Sequence, residues 1–161
     1  MSEQSNKNFR RRFLQALGMA GGSAMVASSA RAHHTESHFG DTTKHKIVYQ
    51  CNQPEAEYHR HILFSVSELL RKYEDDIHLV VAAFGPGIHI LGKKPTRPVA
   101  DDVRDKVKAL AAYGVAFHAC GNTMNSLKWT KEDMLPFANI VQIGVDDIML
   151  LQEQGFQYFS W

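Results

Sequence analysis

The sequence of 161 residues has only two cysteines, no long run of strongly apolar residues and almost no net charge. Two cysteines are too few for a disulfide scaffold. A membrane-spanning helix needs about 20 predominantly apolar residues, so the sequence predicts no stable membrane anchor. The formal net charge of +1 becomes −3 when the signal peptide predicted below is removed, which gives no electrostatic reason to expect nucleic acid or anionic lipid as a partner.

Motifs that bind metals or nucleotides are also missing. The nine histidines show neither a Cys₂His₂ nor a His-Glu-x-x-His spacing, so no specific metal site is predicted. Gly85-Pro86-Gly87 follows an apolar run, as phosphate loops do, but lacks the glycine spacing of nucleotide-binding loops. We therefore expect no cofactor.

The first 32 residues have the three parts of a signal peptide. Arg10 and Arg11 begin a twin-arginine pattern, and a weakly apolar run rich in glycine, alanine and serine follows it. Ala30 and Ala32 place small residues where a signal peptidase accepts them, which predicts export to the periplasm and cleavage after Ala32. Removal of residues 1–32 leaves 13 basic and 16 acidic residues, a formal charge of −3.

The remaining chain is predicted to be a flexible leader, 33–44, and one domain, 45–161, which is long enough to bury a core without metal or disulfides. Period-2 and period-3.6 patterns alternate along it, and strands that alternate with helices favour parallel pairing. We expect a three-layer α/β/α sandwich with a mainly parallel five-stranded sheet, flavodoxin-like in appearance. Residues 85–98 mix glycine, lysine and proline too densely for a regular element, and we expect a mobile loop there.

Both cysteines follow predicted strands, at the sheet edge where such folds bind ligands. Cys120 precedes a glycine turn and a helix start, with His118 two residues earlier on the same strand face. Backbone N–H groups, a helix N-terminus and His118 could each lower the pKa of Cys120, so we expect an accessible nucleophilic thiolate; a buried, inert cysteine is the alternative. Cys51 lacks such neighbours and is more consistent with a packing role, although a Cys51–Cys120 disulfide stays open if the two strand tips are neighbours.

Three segments carry a family resemblance: Val115-Ala-Phe-His-Ala-Cys120-Gly-Asn-Thr-Met124, Ile140-Val-Gln-Ile-Gly144-Val145 and Leu150-Leu-Gln-Glu-Gln-Gly155-Phe-Gln-Tyr158. Together they resemble the DsrE/DsrF-like family over roughly residues 44–161. The resemblance implies a parallel α/β/α fold, a homotrimer or homohexamer, and a persulfide on the residue that matches the family's cysteine, Cys120. It also implies that Cys120 lies in a loop formed by Gly121, Asn122 and Thr123, with Gly85, Pro86 and Gly87 lining the same edge.

Two functions are compatible with these residues. The first is a periplasmic sulfur carrier or sulfurtransferase that uses a persulfide on Cys120, with His118 tuning the thiol, Cys51 as a candidate second thiol, and a sulfur compound or protein as donor and acceptor. The second is a non-catalytic homo-oligomeric module that binds a small ligand or a redox partner. Exposed aromatic residues near the carboxy terminus favour an oligomer interface in either case.

Overall fold

The computed structural model describes residues 43–161 of the chain. Strands and helices alternate along them in the order β1 (His45–Cys51), α1 (Ala56–Tyr73), β2 (Ile77–Ala83), α2 (Asp101–Ala112), β3 (Ala116–Cys120), α3 (Gly121–Ser126), β4 (Ala138–Val141), α4 (Gly144–Glu153) and β5 (Gln157–Phe159). Three 3₁₀ helices lie between them, at Glu74–Asp76, Gly85–Leu91 and Lys131–Asp133. No helix within the described part of the chain is long and apolar enough to cross a membrane.

The five strands form one parallel sheet in the order β4-β3-β2-β1-β5. The first three connections step in one direction across the sheet, whereas the connection from β4 to β5 returns past all the other strands. Because parallel crossovers are right-handed, a reversal of direction places the last helix on the opposite face. The predicted three-layer α/β/α sandwich with a five-stranded parallel sheet is therefore confirmed.

Packing on the two faces is unequal. One face carries the larger core, in which α1 contributes Ile62 and Val66, α2 contributes Val107, and the sheet contributes Tyr49 and Phe117. The other face carries a smaller core, in which α4 packs on β1 and β2 through the buried set Val48, Val80, Ala82, Ile148, Leu151 and Phe156. A single ten-residue helix thus covers the second face, and we call this the α4 face.

The segment that follows β2 departs from the sequence prediction. Residues 85–98 were expected to be a mobile loop, but Gly85–Leu91 form a 3₁₀ helix in which Gly87 to Leu91 are buried. The loop prediction was wrong because it weighed glycine and proline above Ile88, Ile90 and Leu91, whose side chains belong to the larger core. Burial of these apolar groups outweighs the weak local propensity for a helix.

The other elements lie within a few residues of their predicted positions. Thr130 and Asp133 form a capping box on the 3₁₀ turn Lys131–Asp133. The predicted signal peptide, 1–32, and residues 33–42 of the predicted leader lie outside the described residues.

Candidate active site

Cys120 lies at the C-terminal end of β3, directly before the first turn of α3. Phe117 and Ala119 face the larger core, and alternation along the strand turns His118 and Cys120 toward the α4 face. Cys120 is only 6% exposed, so the sulfur is at the predicted edge of the sheet but is less accessible than the sequence led us to expect.

Hydrogen-bond donors surround this sulfur. Burial alone would raise the pKa of Cys120, but the hydroxyl of Thr123 and the backbone N–H groups of Thr123, Gly144 and Asn122 favour the thiolate, and the net effect is a lowered pKa. Gly85 N–H donates to Thr123 Oγ1 over 3.0 Å, which leaves the Thr123 hydroxyl proton free to point at the sulfur. The surroundings of Cys120 therefore favour the anionic form of the thiol.

The position of Cys120 follows from the topology. The chain leaves β3 toward the larger core, where α3 buries Met124, and it leaves β4 toward the α4 face. Adjacent strands with connections on opposite faces leave a crevice between their C-terminal ends, and ligands bind there in open α/β sheets. Cys120 pairs in register with Val141 at the end of β4, so the thiol lies at this switch point.

Two glycines allow the backbone to approach the thiol. A Cβ on Gly144 would lie 3.2 Å from Cys120 Cβ and 3.1 Å from Phe84 Cβ, and a Cβ on Gly121 would lie 3.1 Å from the Val141 carbonyl oxygen. Asn122 N–H donates to the Gln142 carbonyl over 3.2 Å and ties the two strand ends together. Gly144 was not among the predicted site residues, although a glycine between a strand and a helix on the ligand-binding edge is a signal that could have identified it.

Only part of the Gly85-Pro86-Gly87 segment reaches this site. Gly85 has a φ of +51°, a conformation that favours glycine, and its N–H contacts Thr123. Pro86 lies in the first turn of the 3₁₀ helix. Gly87 instead packs on β1, since a Cβ there would lie 2.2 Å from the Cys51 carbonyl oxygen.

Cys51 has the properties of a structural cysteine. It is 1% exposed, burial raises its pKa to about 12, and its thiol lies 4.0 Å from the Gly87 carbonyl oxygen. It faces the larger core, opposite to Cys120, and β2 separates the two strands. Strands two places apart are about 9.5 Å from each other, whereas bridged Cα atoms lie within about 7 Å. The suggested Cys51–Cys120 disulfide is therefore wrong, and both cysteines are free.

His118 has a partner that the sequence did not reveal. Its Nδ1 lies 2.7 Å from Asp147 Oδ2, and both side chains are 15% exposed. An ionised carboxylate only accepts hydrogen bonds, so the proton of this bond lies on Nδ1. The groups that lower the pKa of Cys120 are Thr123, Gly144 and Asn122, so the predicted tuning by His118 has no counterpart among them.

A groove on the side of the larger core lies away from the thiol, and the described histidines form no metal site with it. Within residues 43–161 no group of three or more His, Cys, Asp or Glu side chains is arranged to hold a metal ion, and His33, His34 and His38 lie outside the described residues. A shallow groove between the C-terminal ends of α1 and α2 includes Arg71 and Tyr113 in its lining. It opens near the N-terminal ends of the strands, whereas Cys120 lies at the C-terminal end of β3.

The family assignment rests on a match that spans the whole domain. A model of the DsrE/DsrF-like family matches residues 44–161, which include every element of the sheet. The chain belongs to the DsrE/DsrF-like family. Cys120 lies within the matched segment, at the C-terminal end of β3.

Solved structures give the same fold. The structure of the protein of unknown function MTH1491 from Methanobacterium thermoautotrophicum is similar to this DsrE/DsrF-like chain with a TM-score of 0.65 and 22% sequence identity. The match covers 73% of this chain and 99% of that one. No curated protein matches the chain.

Proposed function

We propose that this DsrE/DsrF-like protein is a sulfur carrier in which Cys120 holds sulfane sulfur as a persulfide. The observation that carries the proposal is the set of donors around Cys120: the Thr123 hydroxyl and three backbone N–H groups, arranged so that the pKa of the thiol is lowered. A thiolate is the nucleophile in sulfur exchange. The family supplies the reaction class, because its members include sulfur-relay proteins.

Each half of the proposed cycle is a simple displacement. The Cys120 thiolate attacks the outer sulfur of a donor persulfide, the new S–S bond forms on Cys120, and the donor's S–S bond breaks to release a thiolate. In the second half the thiolate of an acceptor attacks the outer sulfur on Cys120 and regenerates the Cys120 thiolate. One neutral sulfur atom moves in each half, so neither step needs an external oxidant or reductant.

Mass spectrometry tests this proposal directly. After incubation with polysulfide, we expect a mass increase of one sulfur atom on the peptide that contains Cys120, and loss of the increase after treatment with an excess of a small thiol. Cys120→Ser should abolish the adduct. Cys51→Ala is the matched control and should keep it, because Cys51 is buried on the opposite face. A wild-type protein that stays unmodified would refute the proposal.

We also propose that the protein acts in the periplasm after twin-arginine export, a reading that rests on the sequence of residues 1–32. In a bacterial host with the twin-arginine system, the full chain should appear in the periplasmic fraction with a new amino terminus at His33. Replacement of Arg10 and Arg11 by lysine should keep the precursor in the cytoplasm, whereas Arg12→Lys, which conserves the twin pair, should not. Export of the double variant at the wild-type level would contradict this assignment.

The exposed side of α4 favours self-association. Val145 and Met149 lie one turn apart on this helix and are 62% and 50% exposed, and Leu150 and the preceding Ile143 are exposed as well. Apolar side chains grouped in this way are typical of protein interfaces, so we propose a homo-oligomer that buries this stripe. The stripe also supports the second candidate function, a binding module that does not need the thiol.

Solution mass and one substitution separate these candidates. Val145→Glu should reduce the mass measured by light scattering to that of a monomer, and Phe64→Glu, which charges an equally exposed apolar residue on α1, should leave it unchanged. Cys120→Ser should keep the oligomer but lose sulfur transfer if the carrier proposal holds. Full biological activity of Cys120→Ser would favour the binding module instead, and a wild-type monomer would refute the oligomer.

A further inference from the structure

A histidine–aspartate pair lies on the same face as the proposed carrier thiol and has no part in the chemistry described so far. The His118 Nδ1–H donates to Asp147 over 2.7 Å. Among residues 43–161 this is the only hydrogen bond of the His118 side chain, so Nε2 keeps its lone pair. A carboxylate on Nδ1 fixes the tautomer and stabilises the imidazolium once Nε2 takes up a proton.

Two contacts between β3 and α4 hold this pair beside the thiol. Gly144, in the first turn of α4, packs against Cys120, and Asp147 pairs with His118. Residues three apart on a helix share a face, and residues two apart on a strand do so as well, with Cα atoms about 6.6 Å apart. Gly144 on α4 therefore faces Cys120 on β3, and Asp147 faces His118. This arrangement places the imidazole two residues along the strand from Cys120.

Of the groups that face this site, the His118 imidazole is the one suited to exchange a proton at neutral pH. On its face, β2 presents Ala82 and β4 presents Asn139 at the paired positions, and neither side chain titrates. The carboxylate that faces it from α4 is Asp147, and the thiol on its own strand is Cys120. The donors that stabilise the Cys120 thiolate, a hydroxyl and backbone N–H groups, do not exchange a proton at neutral pH.

We propose that His118 is the acid–base residue of the sulfur-transfer step and that Asp147 is its positioning residue. This inference rests on the proposed function. The Cys120 thiolate, which its donors stabilise, attacks the outer sulfur of a donor persulfide, and the S–S bond of the donor breaks. The departing thiolate takes a proton from Nε2, which solvent then replaces, so that a thiolate, a persulfide and one proton give a Cys120 persulfide and a new thiol.

The test compares two reagents with leaving groups of different basicity. Glutathione persulfide releases a basic thiolate that needs a proton, whereas Ellman's reagent releases a weakly basic thiolate that leaves without one. His118→Gln should slow sulfur loading from glutathione persulfide by about 100-fold, in the range of acid–base catalysis, and should leave the reaction with Ellman's reagent at the wild-type rate. Asp147→Asn should give a smaller loss of the same selectivity. Asp146→Asn, the same charge change on the exposed neighbour, is the control and should change neither rate.

The outcomes distinguish a failure of the role inferred for His118 from a failure of the proposed carrier function. Equal slowing with both reagents would show that the pair only supports the structure, and unchanged rates with both would show that it is not used; either result overturns the inference but leaves the carrier function standing. A wild-type protein that reacts with Ellman's reagent but takes no sulfur from glutathione persulfide would refute the proposed function and the inference together.

Discussion

Removal of the Thr123 hydroxyl tests the electrostatics of the thiol site. Thr123→Val conserves the shape of the side chain but deletes one donor to the Cys120 sulfur and the acceptor of the Gly85 N–H. A hydrogen bond to a charged group contributes about 1.5–3 kcal/mol. Three backbone N–H groups remain, so we take the lower figure, which corresponds to about a tenfold smaller thiolate fraction at a pH below the pKa of the wild-type thiol.

The reaction rate should change less than the thiolate fraction. Nucleophilicity rises as the pKa of a thiol rises, with a Brønsted coefficient of about 0.4–0.5, so a tenfold loss of thiolate is offset by about a threefold gain in reactivity. We therefore expect Thr123→Val to react with Ellman's reagent about threefold more slowly at a pH below the pKa of the wild-type thiol. At a pH where both thiols are fully ionised the order should reverse, and the variant should be the faster one.

The assay is the rate of thionitrobenzoate release as a function of pH. Thr123→Ser keeps the hydroxyl and should follow the wild-type profile. Cys51 should not contribute in the folded protein, because it is buried and its pKa is raised to about 12. Coinciding profiles for Thr123→Val and the wild type would refute the idea that the hydroxyl stabilises the thiolate.

Three further predictions concern the fold around the site. In the native protein iodoacetamide should label Cys120 and spare Cys51 until denaturant is added; rapid native labelling of Cys51 would contradict its buried position. Gly87→Ala should lower the free energy of unfolding by about 3 kcal/mol or more, because the new Cβ would lie 2.2 Å from the Cys51 carbonyl oxygen; an unchanged urea midpoint would show that this contact can relax. Burial lowers the pKa of His59 and of His89, so the unfolded chain takes up protons first, and stability should be complete above about pH 6.5 and fall below it. Urea unfolding at neutral and acidic pH measures this, and His89→Leu should weaken the dependence.

The fold was accessible from the sequence because its signals are local. The apolar stripe of α1 and the continuous apolar run of β2 each specify one element, and alternation of such elements specifies parallel pairing. The segment Gly85–Leu91 was misread because its burial depends on contacts with Cys51 and Trp129, which are distant in the sequence.

Local sequence patterns could assign individual residues of the site but not the contacts between residues that are distant in the sequence. Cys120 could be assigned from a strand that runs into a glycine turn, whereas Thr123 entered only as a loop residue implied by the family resemblance. Asp147 could not, because it meets His118 across 29 positions of sequence and only the return crossover of α4 brings them together. The separation of Cys51 from Cys120 likewise depends on strand order and on which face each side chain occupies, and neither is encoded locally.

The two faces of the sheet are covered by cores of different size, and this difference affects how a sulfur donor could reach Cys120. Opening events in a folded domain begin where the fewest apolar groups are buried, and here that layer is α4, which rests on the smaller core. The same helix supplies the Gly144 N–H to the thiol and Asp147 to His118, so a partial detachment of it would uncover the sulfur and disconnect its polar neighbours in one event. In the monomeric Val145→Glu variant, where no partner covers α4, native-state hydrogen exchange would then report faster exchange for the amides of α4 than for those of β1, β2 and β3.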